Sequence, residues 1–376
     1  PGVAAAGALL NDIQMTQPQM PKHLEAVQCE HAQEYIKIGA DSRRNWEISL
    51  TLSGKTAPTL LSSLDDCATH MGSRLLHTWL HQPLTRKSHI LLRQQAIVAL
   101  LPHAATLQAA FKPLGDIERM AARIAVGSAR PRDLSGLRDG LQLLADLSLP
   151  DGVDSVLLDT LMQVFPEGLA LAERLQAAVL PEPAVWLRDG GVINHGFNAD
   201  LDELRHIQTH GDEFLLDLEA RERERTGLST LKVEFNRVHG FYIELSKAQA
   251  EQAPADYQRR QTLKNVERYI TPELKVFEDK VMSAQDQALA LEKQLFEGLL
   301  RELQAALPVL QRIAKAAASL DVLAALAKIA AQEQWVQPEL VNFPCVEIHP
   351  GKPPVVAAQV APFIANDARL DVKPKL

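Results

Sequence analysis

The chain has 376 residues, of which 46% are hydrophobic and 5% aromatic, and its formal net charge is −8 at pH 7. The length predicts two or three domains, and the negative charge argues against a protein that coats nucleic acid over its whole surface. The three cysteines (Cys29, Cys67 and Cys345) lack the spacing of a zinc motif or a disulfide framework, which favours a reducing compartment such as the cytoplasm. No apolar run reaches the length of a membrane span.

The first half of the chain predicts helices separated by turns. Residues 4–13 predict the end of a helix, and the two prolines of TQPQMPKHL predict a linker that ends near residue 24. The opening residues lack a methionine and a basic leader, so we expect no secretory signal and a chain cut from a larger protein. The sequence predicts helix over residues 59–84 and shorter helices from there to residue 183. Three glycines within residues 190–196 then predict a turn-rich segment.

Two long helical patterns flank a central stretch. The upstream helix has an apolar stripe formed by Leu201, Leu204, Ile207, Leu215 and Leu218. The downstream helix begins at Thr271-Pro272-Glu273, which supplies a capping hydroxyl, an initial proline and an acid. Its apolar positions are Leu274, Phe277, Val281, Ala284, Ala288, Leu291 and Leu295. This spacing predicts a helix of roughly 35 residues, or about 50 Å, whose buried leucines, Leu291 among them, pack on the upstream helix as a pair of arms.

The central stretch, residues 231–270, has the alternation of β-strands. Apolar residues at 231, 233 and 235 and again at 241, 243 and 245 flank the turn Arg237-Val238-His239-Gly240. A second pair of strands, 259–263 and 266–270, flanks Lys264-Asn265. The sequence therefore predicts a four-stranded antiparallel sheet with its own apolar face, inserted between the two arms.

The last part of the chain changes character. Residues 316–331 predict a final helix, and proline and β-branched residues are frequent beyond Trp335. Val346, Ile348, Val355 and Val356 predict the first strands of another domain.

Positive charge is concentrated on the central stretch. Residues 231–270 contain seven lysines and arginines against five acids, a net charge of +2, and the remainder of the chain carries −10. Cations around the second turn alternate with amide and hydroxyl groups that suit phosphate oxygens. The strongest candidates for DNA contacts are Tyr257, Arg259, Arg260, Gln261, Thr262, Lys264, Asn265 and Arg268. Asn236, Arg237 and His239, at the neighbouring turn, are candidates of second rank; the alternative is a polar hairpin that only faces water.

Other motifs favour structural explanations. Gly54-Lys55-Thr56 lacks the glycine of a phosphate loop, because Ser49 stands five residues before Gly54. His195, His206 and His210 have no acid at the spacing of a metalloprotease helix, and the pair His206 and His210, one helical turn apart, is expected to face solvent. The alternating charges of residues 221–225 predict a solvated helix end. We therefore expect no catalytic residue and no metal site in this chain.

Several separated blocks, in family order, resemble the MutS family of DNA mismatch-repair proteins. They are Arg43-Arg44-Asn45, Met71-Gly72-Ser73-Arg74, Trp79-Leu80 with Pro83-Leu84, residues 187–198, GLSTLKVEFNRVHGFYIELS and YQRRQTLKNVERYITPELKVFEDKV. Two positions depart from the family pattern. His70 stands where the family usually has proline. Gly351-Lys352-Pro353-Pro354 stands where the family commonly has Gly-Arg-His-Pro. The roles of the histidine in that family motif, and of the glutamate that follows it, are therefore not carried over to this chain.

The resemblance implies a mainly α fold, with a multi-helix core and two lever arms that carry a small β clamp. Residues 1–24 would be the end of a connector domain and a linker. Residues 25–210 and 271–334 would form the core or lever domain, residues 211–270 the clamp, and residues 335–376 the first strands of an α/β ATPase domain.

The resemblance also implies a function. The clamp turn matched by Lys264-Asn265 would grip duplex DNA without reading its sequence, and the arms would transmit movements driven by ATP and Mg²⁺ bound elsewhere in the parent protein. The parent would be a homodimer in the nucleoid that works with a MutL-like partner, while this chain would hold no cofactor. Two alternatives remain: a helical scaffold that binds a partner protein, and a MutS relative that acts in recombination.

Overall fold

The computed structural model describes residues 2–16, 33–209, 211–236, 240–360 and 362–371. The predicted linker, Cys29, His210 and the turn residues Arg237 and His239 lie outside these ranges. The chain divides into two compact units. The first comprises Pro1–Ala129, Asp133–Gln176 and Leu300–Leu376, and the second comprises Arg130–Arg132 and Ala177–Leu299.

The described residues are mainly helical, as the sequence predicts. In chain order the helices are α1 (Gly2–Thr16), α2 (Ala40–Asn45), α3 (Leu60–Leu64), α4 (His70–His81), α5 (Lys87–Leu100), α6 (Ala104–Phe111), α7 (Ile117–Ala125), α8 (Pro131–Ala145), α9 (Val156–Met162), α10 (Leu169–Ala178), α11 (Ala199–Thr209), α12 (Gly211–Thr226), α13 (Lys247–Ala250), α14 (Pro272–Ala305), α15 (Leu307–Gln332) and α16 (Pro354–Ala357). Short 3₁₀ turns occupy Phe165–Gly168 and Leu187–Asp189.

Helix α15 is the centre of the first unit. It packs against α4, α5, α6, α7 and α9, and its buried side chains lie on every side of the helix. A helix that is apolar all round is typical of a protein interior. The sequence predicted its start at residue 316. The structure begins it at Leu307 instead, because Pro308 fits the first turn of a helix and does not end one.

A buried carboxylate explains why residues 59–84, predicted as helical, form the two helices α3 and α4. Asp321 of α15 is fully buried and accepts hydrogen bonds from Ala68 N (2.9 Å), Thr69 N (2.8 Å) and Thr69 Oγ1 (2.7 Å). The Thr69 hydroxyl also accepts a bond from Gly72 N and so caps α4. A side chain at Gly72 would collide with the Asp321 carboxylate, which makes glycine the residue that fits there.

The central stretch forms the predicted antiparallel sheet of four strands. These are β1 (Lys232–Asn236), β2 (Gly240–Ser246), β3 (Gln258–Thr262) and β4 (Val266–Ile270), in the spatial order β1-β2-β4-β3. Val233 pairs with Ile243, Ile243 with Tyr269, and Arg259 with Tyr269. The period-two pattern thus predicted both hairpins correctly.

The apolar face of this sheet is covered by helices α12 and α14. Its buried residues form one cluster with Leu218 of α12 and Leu274 of α14. Phe277 stacks on Phe214 at 4.1 Å between ring centroids and meets Phe241 edge-on at 5.4 Å. The sheet and the ends of both arms therefore share one core.

The returning arm has the predicted start and length. Helix α14 contains 34 residues, and the Thr271 hydroxyl caps it by accepting a hydrogen bond from Leu274 N at 3.1 Å. Leu291 was predicted to be buried and is only half-buried, because the buried positions of the neighbouring turn are Glu292 and Phe296.

Replacing Leu274 by alanine is expected to lower the free energy of unfolding by about 2–5 kcal/mol, because it opens a cavity in the shared core. Urea denaturation followed by circular dichroism measures this change. Leu216→Ala removes the same atoms from an exposed position on α12 and should cost less than about 0.5 kcal/mol. Equal losses in the two variants would show that Leu274 does not support the core.

The C-terminal residues form a two-stranded antiparallel ribbon of β5 (Cys345–Gly351) and β6 (Asn366–Asp371). Val346 and Ile348 lie in β5 as predicted. Val355 and Val356 were predicted as strand and lie in the short helix α16, where Pro354 occupies the first turn. Val346, Ile348 and Leu370 are exposed, an arrangement consistent with the start of another domain.

Among the described residues, no single helix is both long and apolar enough to cross a membrane. Helices α5 and α6 pass that test only as a pair, and this pair is bent by 93°.

Candidate nucleic-acid interface

The first and last residues of β2 lie at opposite ends of the sheet. Asn236 pairs with Gly240 at one end of β2, and Val266 pairs with Ser246 at the other. Six residue steps along β2 separate these ends, or about 20 Å at 3.4 Å per residue. We call residues 263–265, between β3 and β4, the tip turn. Asn236 is therefore remote from the tip turn and belongs to the end of the sheet nearest Phe277 of α14.

The tip turn presents polar and basic side chains to solvent. Thr262, Lys264 and Asn265 are exposed, and Leu263 N donates to Val266 O at 3.0 Å to close the turn. Lys247, at the start of α13, donates its backbone N–H to Asn265 O at 3.1 Å and exposes its side chain beside the turn. Within the part of the chain that the structure describes, neither lysine forms an ion pair. The sequence did not single out Lys247, because only the fold brings it to the turn.

Arg259 lies one strand-length from the tip turn and remains accessible. Its side chain is 60% exposed, and its Nε atom lies 3.0 Å from Glu267 Oε2. The Tyr269 hydroxyl donates to the same carboxylate oxygen at 2.6 Å. Because Glu267 already balances part of its charge, Arg259 ranks below the two lysines as a phosphate ligand.

Arg268 and Gln261 are held within the solvent-facing side of the sheet. Arg268 Nε lies 3.0 Å from Glu244 Oε2, its Nη1 donates to Gln261 Oε1 at 3.3 Å, and its guanidinium covers the Tyr242 ring at 4.1 Å. Tyr242 lies on the same side of the sheet and is buried there because Arg268 covers it. Burial also raises the pKa of the Tyr242 hydroxyl.

Tyr257 is buried, with its hydroxyl donating to Glu222 Oε2 at 2.7 Å. Arg225 Nη2 bonds the same carboxylate at 2.7 Å and reaches Asp256 at 3.1 Å. Burial and the hydrogen bond to Glu222 raise the pKa of Tyr257 well above its ordinary value. The end of α12 was predicted as solvated, but Glu222 is only 8% exposed, because Tyr257 covers it.

Arg260 faces the arms. Its Nη1 donates to Phe241 O at 2.7 Å, and its guanidinium pairs with Glu278 of α14. The candidates thus separate into an accessible group at or near the tip turn and a group already engaged inside the sheet. The accessible group is Arg259, Thr262, Lys264 and Asn265, joined by Lys247; the engaged group is Tyr257, Arg260, Gln261 and Arg268.

The structure also describes the surroundings of two motifs that the sequence analysis set aside. Gly54 has a φ of +80° in a turn closed by Thr51 N bonding Lys55 O at 2.8 Å, and the five-residue α3 begins only at Leu60. His206 is exposed on α11. Within the described ranges, no three His, Cys, Asp or Glu residues are grouped as metal ligands.

The chain is mainly helical, and between helices α12 and α14 it carries a small sheet with exposed lysines beside its tip turn. A sequence profile described as MutS domain III matches residues 41–327, about three quarters of the chain. The chain therefore belongs to the MutS family, whose general role is DNA mismatch repair through DNA binding. The match includes both arms and the sheet, and the β5–β6 ribbon lies beyond it.

Proposed function

We propose that this chain is the lever and clamp region of a MutS-type mismatch-repair protein, and that the tip turn grips duplex DNA without reading its sequence. The observation that supports the proposal is the pair of exposed lysines, Lys247 and Lys264, whose chain segments are joined by the bond from Lys247 N to Asn265 O. Lysine and exposed amide or hydroxyl donors such as Asn265 and Thr262 bind phosphate oxygens, which carry no sequence information.

Charge supports contact at the tip and not along the arms. Residues 231–270 carry a net charge of +2 in a chain of −8. One small turn can neutralise only a few phosphates, and each contact contributes about 0.9 to the slope of log affinity against log salt. We therefore expect weak, salt-sensitive binding with no preference for a mismatch.

The parts of the parent protein follow from the same proposal. Residues 1–24 would close a connector domain, residues 25–210 and 271–334 form the lever, residues 211–270 form the clamp, and residues 335–376 open an ATPase domain. ATP and Mg²⁺ would bind to the part of that ATPase domain that lies outside this chain. The exposed apolar side chains of β5 and β6 supply a surface for it. A homodimer, a MutL-like partner and a site of action at the nucleoid belong to this proposal as well.

Replacing Lys264 by alanine is expected to weaken binding to random-sequence duplex and to reduce the salt slope by about one, because one phosphate contact is lost. Fluorescence anisotropy over a salt series, with a homoduplex and a mismatched duplex of equal length, measures both quantities. Lys247→Ala should behave in the same way.

Lys280→Ala is the matched control, because Lys280 is an exposed lysine of α14 away from the tip turn. The slope of log affinity against log salt for Lys280→Ala should equal that of the unaltered chain. Unchanged slopes for both tip variants, or tighter binding to the mismatch, would contradict the assignment. A chain that does not bind duplex at any salt concentration would favour the helical scaffold.

A further inference from the structure

Strand β3 contains an irregularity at Arg260. Arg259 pairs with Tyr269 and Gln261 pairs with the next residue of β4, Arg268, so Arg260 is an extra residue without an opposite partner. A β-bulge of this kind redirects a side chain that regular alternation would place elsewhere. Here the side chain of Arg260 is directed toward the arms, although the sequence groups Arg260 with the DNA-contacting candidates.

The redirected guanidinium joins the sheet to helix α14. Arg260 Nη1 lies 3.0 Å from Glu278 Oε2, and its Nη2 donates to Glu278 Oε1 at 3.1 Å. The same Nη1 donates to Phe241 O of β2 at 2.7 Å. Glu278 is only 7% exposed. A buried carboxylate that loses its cation is costly to keep, so this pair fixes the position of both partners.

Gly240 makes room for the pair. Its φ is +70°, and a Cβ atom built there would collide with the Glu278 carboxylate. The first residue of β2 therefore has to be glycine both for its backbone conformation and for the approach of Glu278.

The start of β3 is attached to the other arm. Tyr257, the residue before β3, donates its hydroxyl to Glu222 of α12 at 2.7 Å. Arg260, within β3, is bonded to Glu278 of α14. Among the described residues, β3 pairs with β4 alone and lies at the edge of the sheet, and these two side chains connect it to the arms.

We infer that Arg260 is a positioning residue that couples helix α14 to the hairpin carrying the tip turn, with Tyr257 providing the matching connection to α12. The inference rests on the proposed function of the tip turn. Strand β3 leads directly into that turn, so a displacement of one arm relative to the other is transmitted through Arg260 and Tyr257 to Lys264. Arg260 thereby affects DNA binding without touching DNA.

Glu278→Gln tests the coupling because it keeps the shape of the side chain and removes its charge. We expect amide hydrogen exchange over residues 258–266 to accelerate by about tenfold, since local opening becomes easier. Affinity for random-sequence duplex should fall several-fold while the salt slope stays constant, because no phosphate contact is removed. Glu297→Gln, at an exposed glutamate of α14, is the matched control and should change neither quantity.

Exchanging the two residues, Arg260→Glu with Glu278→Arg, should return both the exchange rate and the affinity toward those of the unaltered chain. If the amide exchange rate of Glu278→Gln stays within twofold of that of the unaltered chain, the coupling is wrong. A salt slope reduced by about one in Glu278→Gln would also overturn it. The proposed function fails separately: if Lys264→Ala leaves the slope unchanged, the tip does not contact DNA even where Glu278→Gln accelerates exchange.

Discussion

Replacing Glu292 by alanine is expected to lower the free energy of unfolding of the second unit by about 3–5 kcal/mol, because two buried backbone donors lose their acceptor and the partly buried Arg205 loses its paired carboxylate. Glu292 of α14 is 3% exposed. Its Oε1 atom accepts hydrogen bonds from Val192 N at 2.7 Å, Ile193 N at 2.8 Å and Arg205 Nη2 at 2.7 Å. One carboxylate thus joins α14 to α11 and to the turn-rich segment before it.

Hydrogen exchange locates this effect and denaturation measures its size. In Glu292→Ala the amides of Val192 and Ile193 should lose protection, while residues 307–332 of the first unit should keep theirs. Glu297→Ala removes an exposed carboxylate five residues further along α14, which lies 3.9 Å from Lys293, and should cost less than about 0.5 kcal/mol. Unaltered protection at residues 192 and 193 in Glu292→Ala would refute the proposed role of Glu292.

The features that the sequence predicted correctly depend on neighbours along the chain. Both hairpins were predicted because alternation and turn residues lie within a few positions of each other. Helix α14 was predicted at roughly 35 residues and has 34. The prediction was close because the sequence shows both the capping residue Thr271 at its start and the proline Pro308 beyond its end. The apolar positions also predicted that Leu218 and Leu274 share one cluster.

The features that the sequence missed depend on contacts between distant residues. The bonds of Asp321 to Ala68 and Thr69 span 253 and 252 residues, and those of Glu292 to Val192 and Ile193 span 100 and 99. The sequence does not distinguish a buried acidic residue from a solvated one. Helix periodicity therefore predicted no structural role for Asp321 or Glu292. Leu291 was predicted as buried for the same reason, since the position next to it, Glu292, is the one that faces inward.

For the candidate interface, the sequence predicted which residues could contact DNA but not which of them lie together on one exposed surface. The sequence identified the cationic stretch, but it could not tell which cations already had partners. The bulge at Arg260 redirects one arginine, and Glu244 and the Tyr242 ring hold Arg268. Lys247 reaches the tip turn only because the β2–β4 register brings Ser246 beside Val266.

Replacing Asp321 by alanine is expected to destabilise the first unit by about 3–5 kcal/mol, because three buried donors lose their acceptor and a cavity opens in α15. Burial raises the pKa of the Asp321 carboxyl above its ordinary value of 3.8, and this outweighs the bonds from Thr69 and Ala68, which act in the opposite direction. A raised pKa means that the folded chain holds this proton more tightly than the unfolded chain. The contribution of Asp321 to stability is therefore complete below pH 3.8 and declines as the pH rises toward the folded pKa.

The difference in unfolding free energy between the unaltered chain and Asp321→Ala should accordingly be larger near pH 4 than at pH 7. Urea denaturation of both chains over this range measures it. Asp159→Ala, at an exposed aspartate of α9 in the same unit, should cost less than about 0.5 kcal/mol at every pH. A cost for Asp321→Ala that instead grows with pH would mean that the hydrogen bonds from Thr69 and Ala68 outweigh burial, and that the ionised carboxylate is the form the fold prefers.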